Sequence, residues 1–450
     1  MQTKMIKYNN ILLPTLFYFS SYFMILSIDY QILINEVCFQ MDRINCNTAD
    51  VSSYTSYLMT FISLTGSIPS ILLSGVYSGI ADKYGRKFVI IMPIIGIFIK
   101  IIILLYVNIL HPTYFFLLYL LSSFISGILG SQVIFNMAIF TYTVDASNSN
   151  IINSSKSYSM VELCIIVPKI IGFLLSGLIS KYYGFVITLF VILTFNILSF
   201  IFAYIIPESL PKRIDDDLKI INTFRNLKLL LYDSNIIIKL LSFAYFLFYF
   251  CLIASSGLDI LYFKHKFQWG SDSIGYYQAI EGAISSISML FICKISNTYN
   301  KLTIIHWIGI GYFFRILFWL LIGFSNSVNV IYYALPFLLL TGSISPYTRA
   351  IISNNIVYEE QTKILSAFST LQNFPTVMIP LLDICYSVSV TNNLSWIVYL
   401  SMSFLVCISF ITTLYSINTP EFNIISFKNN NNKLLENKLN GDNYKNNEVI

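Results

Sequence analysis

The sequence has few charged residues: Asp, Glu, Lys and Arg make up 11% of its 450 residues, whereas 56% are hydrophobic. Soluble globular domains carry about 25% charged residues. Apolar runs of about 20 residues, the length of a helix that crosses a bilayer, recur along the whole chain. This composition excludes a soluble protein and predicts an integral membrane protein with many spans.

The sequence also lacks the motifs of a membrane enzyme. It has no His-Glu-x-x-His zinc helix, no phosphate-binding glycine loop and no His-x-x-x-x-Asp acyltransferase element. Serines are plentiful, but none has an evident base among the three histidines. We therefore expect no enzymatic activity, no cofactor, no bound metal and no nucleic-acid partner.

Twelve apolar segments alternate with polar loops. The predicted spans are residues 11–34, 55–80, 88–109, 113–142, 157–180, 185–206, 239–263, 273–294, 302–324, 330–352, 364–389 and 394–416. With the N-terminus in the cytoplasm, 19 Lys and Arg residues fall on the inner side and four on the outer side. Because cytoplasmic loops collect Lys and Arg, both termini are predicted to be cytoplasmic.

The longest internal polar stretch begins at Pro207 and separates six spans from six. Two such units around a central cavity are typical of secondary transporters. The prediction is an all-α polytopic membrane protein with twelve transmembrane helices in two pseudo-symmetric six-helix bundles. Its parts are an N-terminal bundle (1–206), a cytoplasmic central loop (207–238), a C-terminal bundle (239–416) and a disordered cytoplasmic tail (417–450).

A short charged hinge lies between the second and third predicted spans. It contains Asp82, Gly85, Arg86 and Lys87, so a carboxylate, a turn glycine and cations are concentrated at one helix end. Arg86 can pair with an acid such as Asp145, and a hydrated pair of this kind contributes only about 0–1 kcal/mol. That scale suits a reversible latch made by Asp82, Arg86 and Asp145. The alternative is that the cations only set the topology.

Several spans carry polar residues on one helical face. A polar or charged side chain inside a bilayer is costly unless it faces a cavity or a partner, so these faces predict a hydrated centre between the helices. The residues assigned to substrate binding or proton coupling are Gln132, Asn136, Glu162, Lys169, Gln278, Glu281 and Arg349.

Glu162 and Arg349 are the acid and the cation with the clearest candidate roles. A carboxylate in a partly dry cavity takes up a proton more readily than one in water, so Glu162, or Glu281 in its place, can couple transport to protons. Arg349 can hold an anionic group through its planar guanidinium, and Lys169 is a second anion site. The alternative for Glu162 and Arg349 is an ion pair or network at the inner gate.

Other charged residues of the spans are assigned structural positions. Asp29 and Asp259 are expected near outer helix ends, where water solvates a carboxylate. Arg315 and Lys100 lie on otherwise apolar helices, so we expect them at the periphery, with their charged ends reaching the bilayer surface.

Two of the seven cysteines, Cys38 and Cys46, share the first predicted outer loop. The outer side of a secretory-pathway membrane is oxidising. A disulfide between Cys38 and Cys46 is one possibility, and two free thiols are the other.

Several stretches of the chain resemble one family. The stretch Ala81-Asp-Lys-Tyr-Gly-Arg-Lys87 resembles the loop motif of the major facilitator superfamily. The further stretches are Thr143-Val-Asp145, Met160-Val-Glu162, Ser176-Gly177, Ile206-Pro-Glu-Ser209, Gly257-Leu-Asp259-Ile-Leu-Tyr262 and Ser345-Pro-Tyr-Thr-Arg349-Ala. Together they resemble the solute-carrier family of the proton-coupled folate transporter and the thymic stromal cotransporter. The resemblance implies the major facilitator fold and strengthens the proton-coupling and anion-binding assignments of Glu162 and Arg349.

The predicted function is secondary active transport, with protons, of a small organic anion toward the cytoplasm by alternating access. Candidate substrates are folate-like compounds and metabolites of lysosomal breakdown. The folate branch of the family uses membrane histidines in proton coupling, and the three histidines here include no evident counterpart. Folate is therefore not singled out as the substrate.

The expected partners are the anion, protons and the lipid bilayer. The plasma membrane and the endolysosomal membrane are both candidate locations. The oligomeric state stays open, and a monomer is compatible with the sequence. The alternative function is a transport-inactive receptor or scaffold on a carrier fold.

Overall fold

The computed structural model of the chain is built from helices. It describes residues 2–41, 49–146, 151–209, 220–267, 269, 271–298, 303–355, 358–375, 377, 378, 389 and 396–419. Within these ranges there is no β-strand. A bilayer favours this outcome, because an apolar helix satisfies its own backbone hydrogen bonds where water is absent.

The helices follow the apolar segments of the sequence. They are α1 (Gln2–Gln40), α2 (Ala49–Tyr84), α3 (Arg86–Leu110), α4 (Phe115–Ile128), α5 (Ser131–Ala146), α6 (Ile151–Ile205), α7 (Ile221–Lys228), α8 (Ile236–Phe267), α9 (Ser271–Thr298), α10 (Ile304–Gly323), α11 (Val328–Ala334), α12 (Ile344–Asn354), α13 (Tyr358–Asn373) and α14 (Ile397–Ile417).

The fourth predicted span, residues 113–142, is interrupted between α4 and α5. Gly130 and Ser131 both have positive φ, 102° and 42°, which breaks the right-handed helix there. A Cβ at Gly130 would lie 2.5 Å from the side chain of Ile134, so the position requires glycine. The apolar segment Phe115–Ala146 is still long enough to cross a membrane. Hydropathy alone could not locate the break, because it lies inside an apolar run.

The fifth and sixth predicted spans both lie in α6, which is broken at Gly184. Its φ of 82° and ψ of 172° are not helical. No atom lies within 4 Å of the place where a Cβ of Gly184 would be, so the backbone conformation, not crowding, calls for glycine. The predicted loop between residues 180 and 185 coincides with this break.

The tenth predicted span, residues 330–352, is also interrupted. Helix α11 passes into a 3₁₀ segment, Leu335–Leu340, with Pro336 near its start. Proline lacks the N–H that a continuous α-helix would use, and 3₁₀ geometry is common in such short pieces. As a result α12, which carries Arg349, is a separate short helix.

The predicted central loop contains helix α7, which packs on α2. The Thr223 hydroxyl accepts a hydrogen bond from the Gly75 N–H at 3.0 Å and donates one to the Leu72 carbonyl at 2.6 Å. A Cβ at Gly75 would lie only 2.2 Å from the Thr223 backbone nitrogen. Glycine therefore permits the direct contact between the two helices. Residues 210–219 of the predicted loop lie outside the described residues.

The buried hydrophobic side chains form two clusters. The N-terminal core extends from Ile11 to Ile206, and the C-terminal core extends from Leu230 to Val406. Ala350 of α12 packs in the N-terminal core instead, because α12 lies against α6. Two cores are what two bundles require, although the predicted domain boundaries stay a prediction.

Ten segments of the described helices are long and apolar enough to cross a membrane. One of them, Ser157–Ile205, has 49 residues and contains the break at Gly184. Residues 379–388 and 390–395, which belong to the last two predicted spans and their connection, lie outside the described residues, as does the predicted tail from residue 420 onward. The number of twelve spans stays a prediction.

The two cores meet at the end of the molecule that carries the hinge. Thr370 of α13 donates a hydrogen bond to the Ser74 hydroxyl of α2 at 2.6 Å. Asn226 of α7 donates one to Ser366 of α13 at 3.1 Å. Ser74 precedes Asp82 by about 12 Å along α2, at 1.5 Å of rise per residue. The end that the charge distribution predicts to be cytoplasmic is thus bridged by contacts between the cores.

Candidate functional site

The hinge residues form a buried cluster of charges. The Arg86 Nη1 lies 2.6 Å from the Asp82 Oδ1, and its Nε lies 3.2 Å from the Asp145 Oδ2. No more than 3% of any of these three side chains is exposed. One guanidinium therefore pairs with two carboxylates, from α2 and α5, at the first residue of α3. The cluster brings together all three residues of the predicted latch.

Glu208, which follows α6, caps the start of α3. Its Oε1 accepts the Arg86 N–H at 2.9 Å, and its Oε2 accepts the Lys87 N–H at 3.2 Å. The first N–H groups of a helix lack partners within the helix, and the helix dipole favours a negative charge there. Asp82, at the end of α2, pairs with the Arg86 side chain instead of these backbone groups.

Gly85 makes this arrangement possible. Its φ is 114°, a conformation that side chains with a Cβ rarely adopt. A Cβ at Gly85 would lie 2.3 Å from the Glu208 Oε2. The Lys87 Nζ lies 4.7 Å from the centre of the Tyr204 ring. Asp82, Arg86, Asp145 and Glu208 all belong to the N-terminal half of the chain, so these contacts fix the helix ends within that half.

A second buried ion pair joins the two halves. The Arg349 Nε of α12 lies 3.2 Å from the Glu162 Oε1 of α6. Ser345 donates a further hydrogen bond to the same oxygen at 2.6 Å. The Arg349 and Glu162 side chains are only 1% and 11% exposed. The sequence assigned these residues separate roles in coupling and anion binding, with an inner-gate pair as the alternative, and the structure brings them into direct contact.

Arg349 is held from several sides. Its Nη2 donates a hydrogen bond to the Gln372 Oε1 of α13. Its guanidinium carbon lies 3.8 Å from the centre of the Phe140 ring and 5.2 Å from that of Phe368, distances at which a cation is attracted to an aromatic face. The Arg349 Nη1 is buried without a hydrogen-bond partner among the described residues. One donor of this guanidinium is therefore available to a further acceptor.

The remaining predicted site residues lie on α5, α6 and α9. Gln132 and Asn136 are on α5, Lys169 is on α6 and Gln278 is on α9. Asn136 is only 2% exposed, and its Oδ1 has no hydrogen-bond partner among the described residues. Lys169 is exposed and lies close enough to Asp259 for their charges to interact. The structure does not bring these four side chains into one hydrogen-bonded group with Arg349.

Two charged side chains, those of Arg315 and Lys100, lie elsewhere than the sequence predicted. Arg315 was expected at the periphery, but its side chain is only 4% exposed and lies 3.7 Å from Glu281. Lys100 was expected there too, but its Nζ lies 2.6 Å from the Asp29 Oδ2, and the Asp29 side chain is 3% exposed. A lone charge on an apolar helix is the signal that could have found both, because such a charge normally faces a partner.

Asp259 lies inside the C-terminal core instead of near water at a helix end. It is 5% exposed, and its Oδ1 accepts a hydrogen bond from the Tyr399 hydroxyl at 2.6 Å. Glu281, Arg315, Asp259 and Tyr399 thus bring charged or hydroxyl groups from α8, α9, α10 and α14 into the same core. The sequence could not group them, because their helices are far apart in the chain.

Cys38 is disulfide-bonded in the structure. Cys46, its predicted partner, lies outside the described residues. The predicted pairing of these two cysteines stays a prediction.

The sequence matches one family model over most of its length. The model described as Major Facilitator Superfamily matches residues 10–380. A protein of Gallus gallus, named lysosomal proton-coupled steroid conjugate and bile acid symporter SLC46A3, is 24% identical over 361 residues. The match covers 76% of this chain and 75% of the relative. Its SLC46 name is that of the solute-carrier family to which the sequence motifs were found similar.

Solved structures share the arrangement of helices. The human organic anion transporter MFSD10 (TETRAN) superposes with a TM-score of 0.72 at 14% identity, over 91% of this chain and 99% of that chain. The Escherichia coli fucose:proton symporter FucP superposes with a TM-score of 0.66 at 13% identity, over 92% of this chain and 100% of that chain. At these identities the similarity is one of fold.

Proposed function

The chain belongs to the Major Facilitator Superfamily, and we propose that it is a secondary active transporter that carries a small organic anion together with protons. Membership confirms the predicted fold class and the similarity to major facilitator carriers. It also agrees with the prediction that the chain is not an enzyme. The coupling ion, the substrate and the roles of individual residues are our proposals.

The observation that carries the proposal is the Glu162–Arg349 ion pair between the two halves of the chain. Alternating access requires contacts between the halves that form on one side and break for the other. Removing one partner of a buried pair costs about 3–5 kcal/mol, because the other charge is left uncompensated. The inner end therefore stays closed until something else neutralises Glu162 and Arg349.

A proton and an anion can do this together. Protonation of the Glu162 carboxylate removes its charge, and an anionic group of the substrate then replaces it as the counter-ion of Arg349. Neither event alone leaves both sites neutral, since a proton on Glu162 alone leaves Arg349 without a counter-ion. The Arg349 Nη1, which has no hydrogen-bond partner among the described residues, would give the incoming anion a first hydrogen bond. This exchange of partners would couple proton binding, anion binding and opening of the inner end.

We propose that the other polar residues of the cavity face act on the substrate. Gln132, Asn136 and Gln278 supply donors and acceptors that would orient its polar groups. Lys169 would attract the anion before it reaches Arg349, since an ammonium acts as a flexible point charge. Glu281 would act as a second proton acceptor.

The relative's name suggests the chemistry of the substrate. That protein is named as a symporter of steroid conjugates and bile acids, which are large, mostly apolar anions. We propose the same class for this chain. Folate is a weaker candidate, because the three histidines of the sequence include no evident counterpart of the membrane histidines that the folate branch uses. We propose the endolysosomal membrane, whose acidic lumen would supply the protons, with the plasma membrane as the alternative.

The hinge cluster has a supporting role in this proposal. Arg86 holds the ends of α2 and α5 through Asp82 and Asp145, and Glu208 holds the start of α3. These contacts would keep the inner end of the N-terminal half as one unit while the halves separate. Whether the Asp82–Arg86–Asp145 latch also opens in each cycle stays a prediction.

Vesicle transport tests the function. The purified chain in liposomes is given a radiolabelled bile acid, a sulfated steroid or folate outside, with or without a proton gradient directed inward. We expect uphill accumulation of the bile acid or the sulfated steroid only when the gradient is present. The Asp233→Asn variant, at an exposed residue, is a matched control for carboxylate removal and should accumulate the probe normally.

Two other outcomes would count against the proposal. Equal uptake with and without the gradient would leave a facilitator that does not use protons. Binding of the probes without any flux would favour the transport-inactive receptor.

A further inference from the structure

A second group of buried charges lies within the C-terminal core. The Arg315 Nη1 of α10 lies 3.7 Å from the Glu281 Oε1 of α9. Arg315 is stacked on aromatic rings, with its guanidinium carbon 4.4 Å from the centre of the Trp319 ring. Asp259 of α8 lies in the same core, with its Oδ1 bonded to the Tyr399 hydroxyl. We call Asp259, Glu281 and Arg315 the core triad.

The core triad is loosely paired. The Arg315 Nε and Nη2 are buried and make no hydrogen bond to the described residues, and neither does the Tyr277 hydroxyl. Arg315 can form a two-bond fork with a carboxylate, yet only its Nη1 approaches Glu281. The contact between Arg315 and Glu281 should therefore become closer when the Glu281 carboxylate is charged and longer when it is neutral.

The charge balance of the core triad is uneven. Two carboxylates face one guanidinium, so the core triad has a net charge of −1 when all three groups are ionised. An uncompensated charge in a low-dielectric interior is costly. A proton or another cation must therefore accompany the core triad.

Lys169 is a candidate for that cation, and it belongs to the other half of the chain. It lies within electrostatic reach of Asp259. The adjacent Ile170 packs on Gly282, next to Glu281, so closely that a Cβ at Gly282 would lie 2.7 Å from the Ile170 Cγ1. The close contact between α6 and α9 therefore sets Lys169 at the level of the core triad.

We propose that the core triad is a second proton-binding site, which Lys169 controls from the opposite half. While Lys169 is near, it compensates the excess negative charge. When the halves move apart, Lys169 leaves and a proton from the water of the cavity binds the Glu281 carboxylate. When Lys169 returns, the proton goes back to water on the side then open. We assign the proton from the cavity to Glu281 because water can reach its side chain, which is 20% exposed, whereas Asp259 is buried.

The groups that surround the triad support this assignment. Those that interact electrostatically with it are Cys251 of α8, Tyr277 of α9, Tyr399 of α14 and Lys169 of α6. Lys169 is the one cation of this set. The inference rests on the proposed proton-coupled function, and it assigns to Lys169 a role in proton binding besides its proposed contact with the anion.

Infrared difference spectroscopy tests the site without any substrate. The full chain in lipid is titrated from neutral to mildly acidic pH, and the C=O band of protonated carboxylic acids is recorded. All variants carry Glu162→Gln, which removes the other proposed proton acceptor. We expect Glu281→Gln and Asp259→Asn each to abolish the same component of the band, because either change leaves one carboxylate for one guanidinium.

The Lys169→Met variant should favour proton binding to the core triad, whereas the carboxylate variants should abolish it. It should shift that component toward neutral pH, and adding Glu281→Gln should abolish it again. Lys169 is exposed, so this variant should fold even if changes inside the core do not. A band that Glu281→Gln leaves intact, or that Lys169→Met does not shift, would overturn the inference. Loss of acid-driven uptake in wild-type vesicles with the band intact would instead overturn the proposed function alone.

Discussion

The hinge cluster and the Glu162–Arg349 pair are both built around a buried arginine, but they join different parts of the molecule. Arg86 contacts Asp82 and Asp145, which lie in the same half of the chain. Arg349 contacts Glu162 across the two halves. The same chemistry can therefore hold one unit together in the first case and hold two units against each other in the second.

The two arginines also differ in how fully they are paired. Arg86 pairs with two carboxylates, with Asp82 through its Nη1 and with Asp145 through its Nε. Arg349 binds one carboxylate and Gln372, and its Nη1 has no hydrogen-bond partner in the part of the chain that the structure describes. A fully paired arginine suits a permanent support, and an arginine with a free donor suits a site that changes partners.

The largest expected effect is on stability, from Arg86→Met. This change would leave the Asp82 and Asp145 carboxylates buried without their cation, at a cost of about 3–5 kcal/mol. Arg349→Met should cost less, because Ser345 still donates to Glu162 and Glu162 can take up a proton. Thermal melting of the two variants in the same lipid checks this order. Equal losses would mean that the two sites do not differ as supports.

Arg349→Ala should have the largest effect on anion binding. Loss of a charged hydrogen bond costs about 1.5–3 kcal/mol, which is roughly a tenfold to hundredfold rise in the half-saturating concentration. The rise should be present at every pH tested, because arginine stays charged throughout this range. Initial uptake rates over a series of probe concentrations measure it.

Lys181→Ala provides a control for Arg349→Ala, since Lys181 is exposed. It should leave the half-saturating concentration unchanged.

Arg86→Lys should slow uptake more than it weakens binding. If Arg86→Lys raised the half-saturating concentration as much as Arg349→Ala did, the hinge would have to be regarded as part of the anion site.

Gly75→Val tests the closure of the inner end. The new side chain would clash with the backbone of α7 at Thr223, and overpacking of this kind costs about 1–3 kcal/mol. We expect the inner end to open more often, so that a cysteine at Ser74, which is 1% exposed in the closed state, reacts faster with a water-soluble thiol reagent. Gly177→Val is the matched control, because no atom lies within 4 Å of its Cβ position. Equal reactivity in the two variants would contradict the closure.

Asp82→Asn should have the smallest effect. It removes a charge but little volume, and Arg86 keeps Asp145 as a partner, so the loss should be about 1 kcal/mol. We expect normal expression with transport slowed several-fold, measured as turnover per folded molecule. Full turnover would reduce the hinge motif to a determinant of topology.

The sequence allowed parts of this arrangement to be predicted. The hinge acid and cation, Asp82 and Arg86, are four residues apart, and Asp145 ends a neighbouring span, so their proximity follows from local spacing and topology. The helix break at Gly184 fell in a predicted loop. These features depend on short stretches of chain, which a sequence displays directly.

Contacts between distant helices could not be predicted in the same way. Glu162 and Arg349 are 187 residues apart, and their contact depends on how α6 and α12 pack. Arg315 was assigned to the periphery because one helix alone does not show which face is buried. Its pairing with Glu281 joins two helices across the C-terminal core, and no local pattern reveals such a contact.

The direct test of the central claim compares exchange with accumulation in Glu162→Gln. Glutamine keeps the size of the side chain and accepts a hydrogen bond from Arg349, but it cannot carry a proton. If Glu162 is the coupling acid of the inner gate, exchange of labelled for unlabelled bile acid across the vesicle membrane should survive, while acid-driven accumulation should be lost. Accumulation by Glu162→Gln with an unchanged pH profile would contradict the claim.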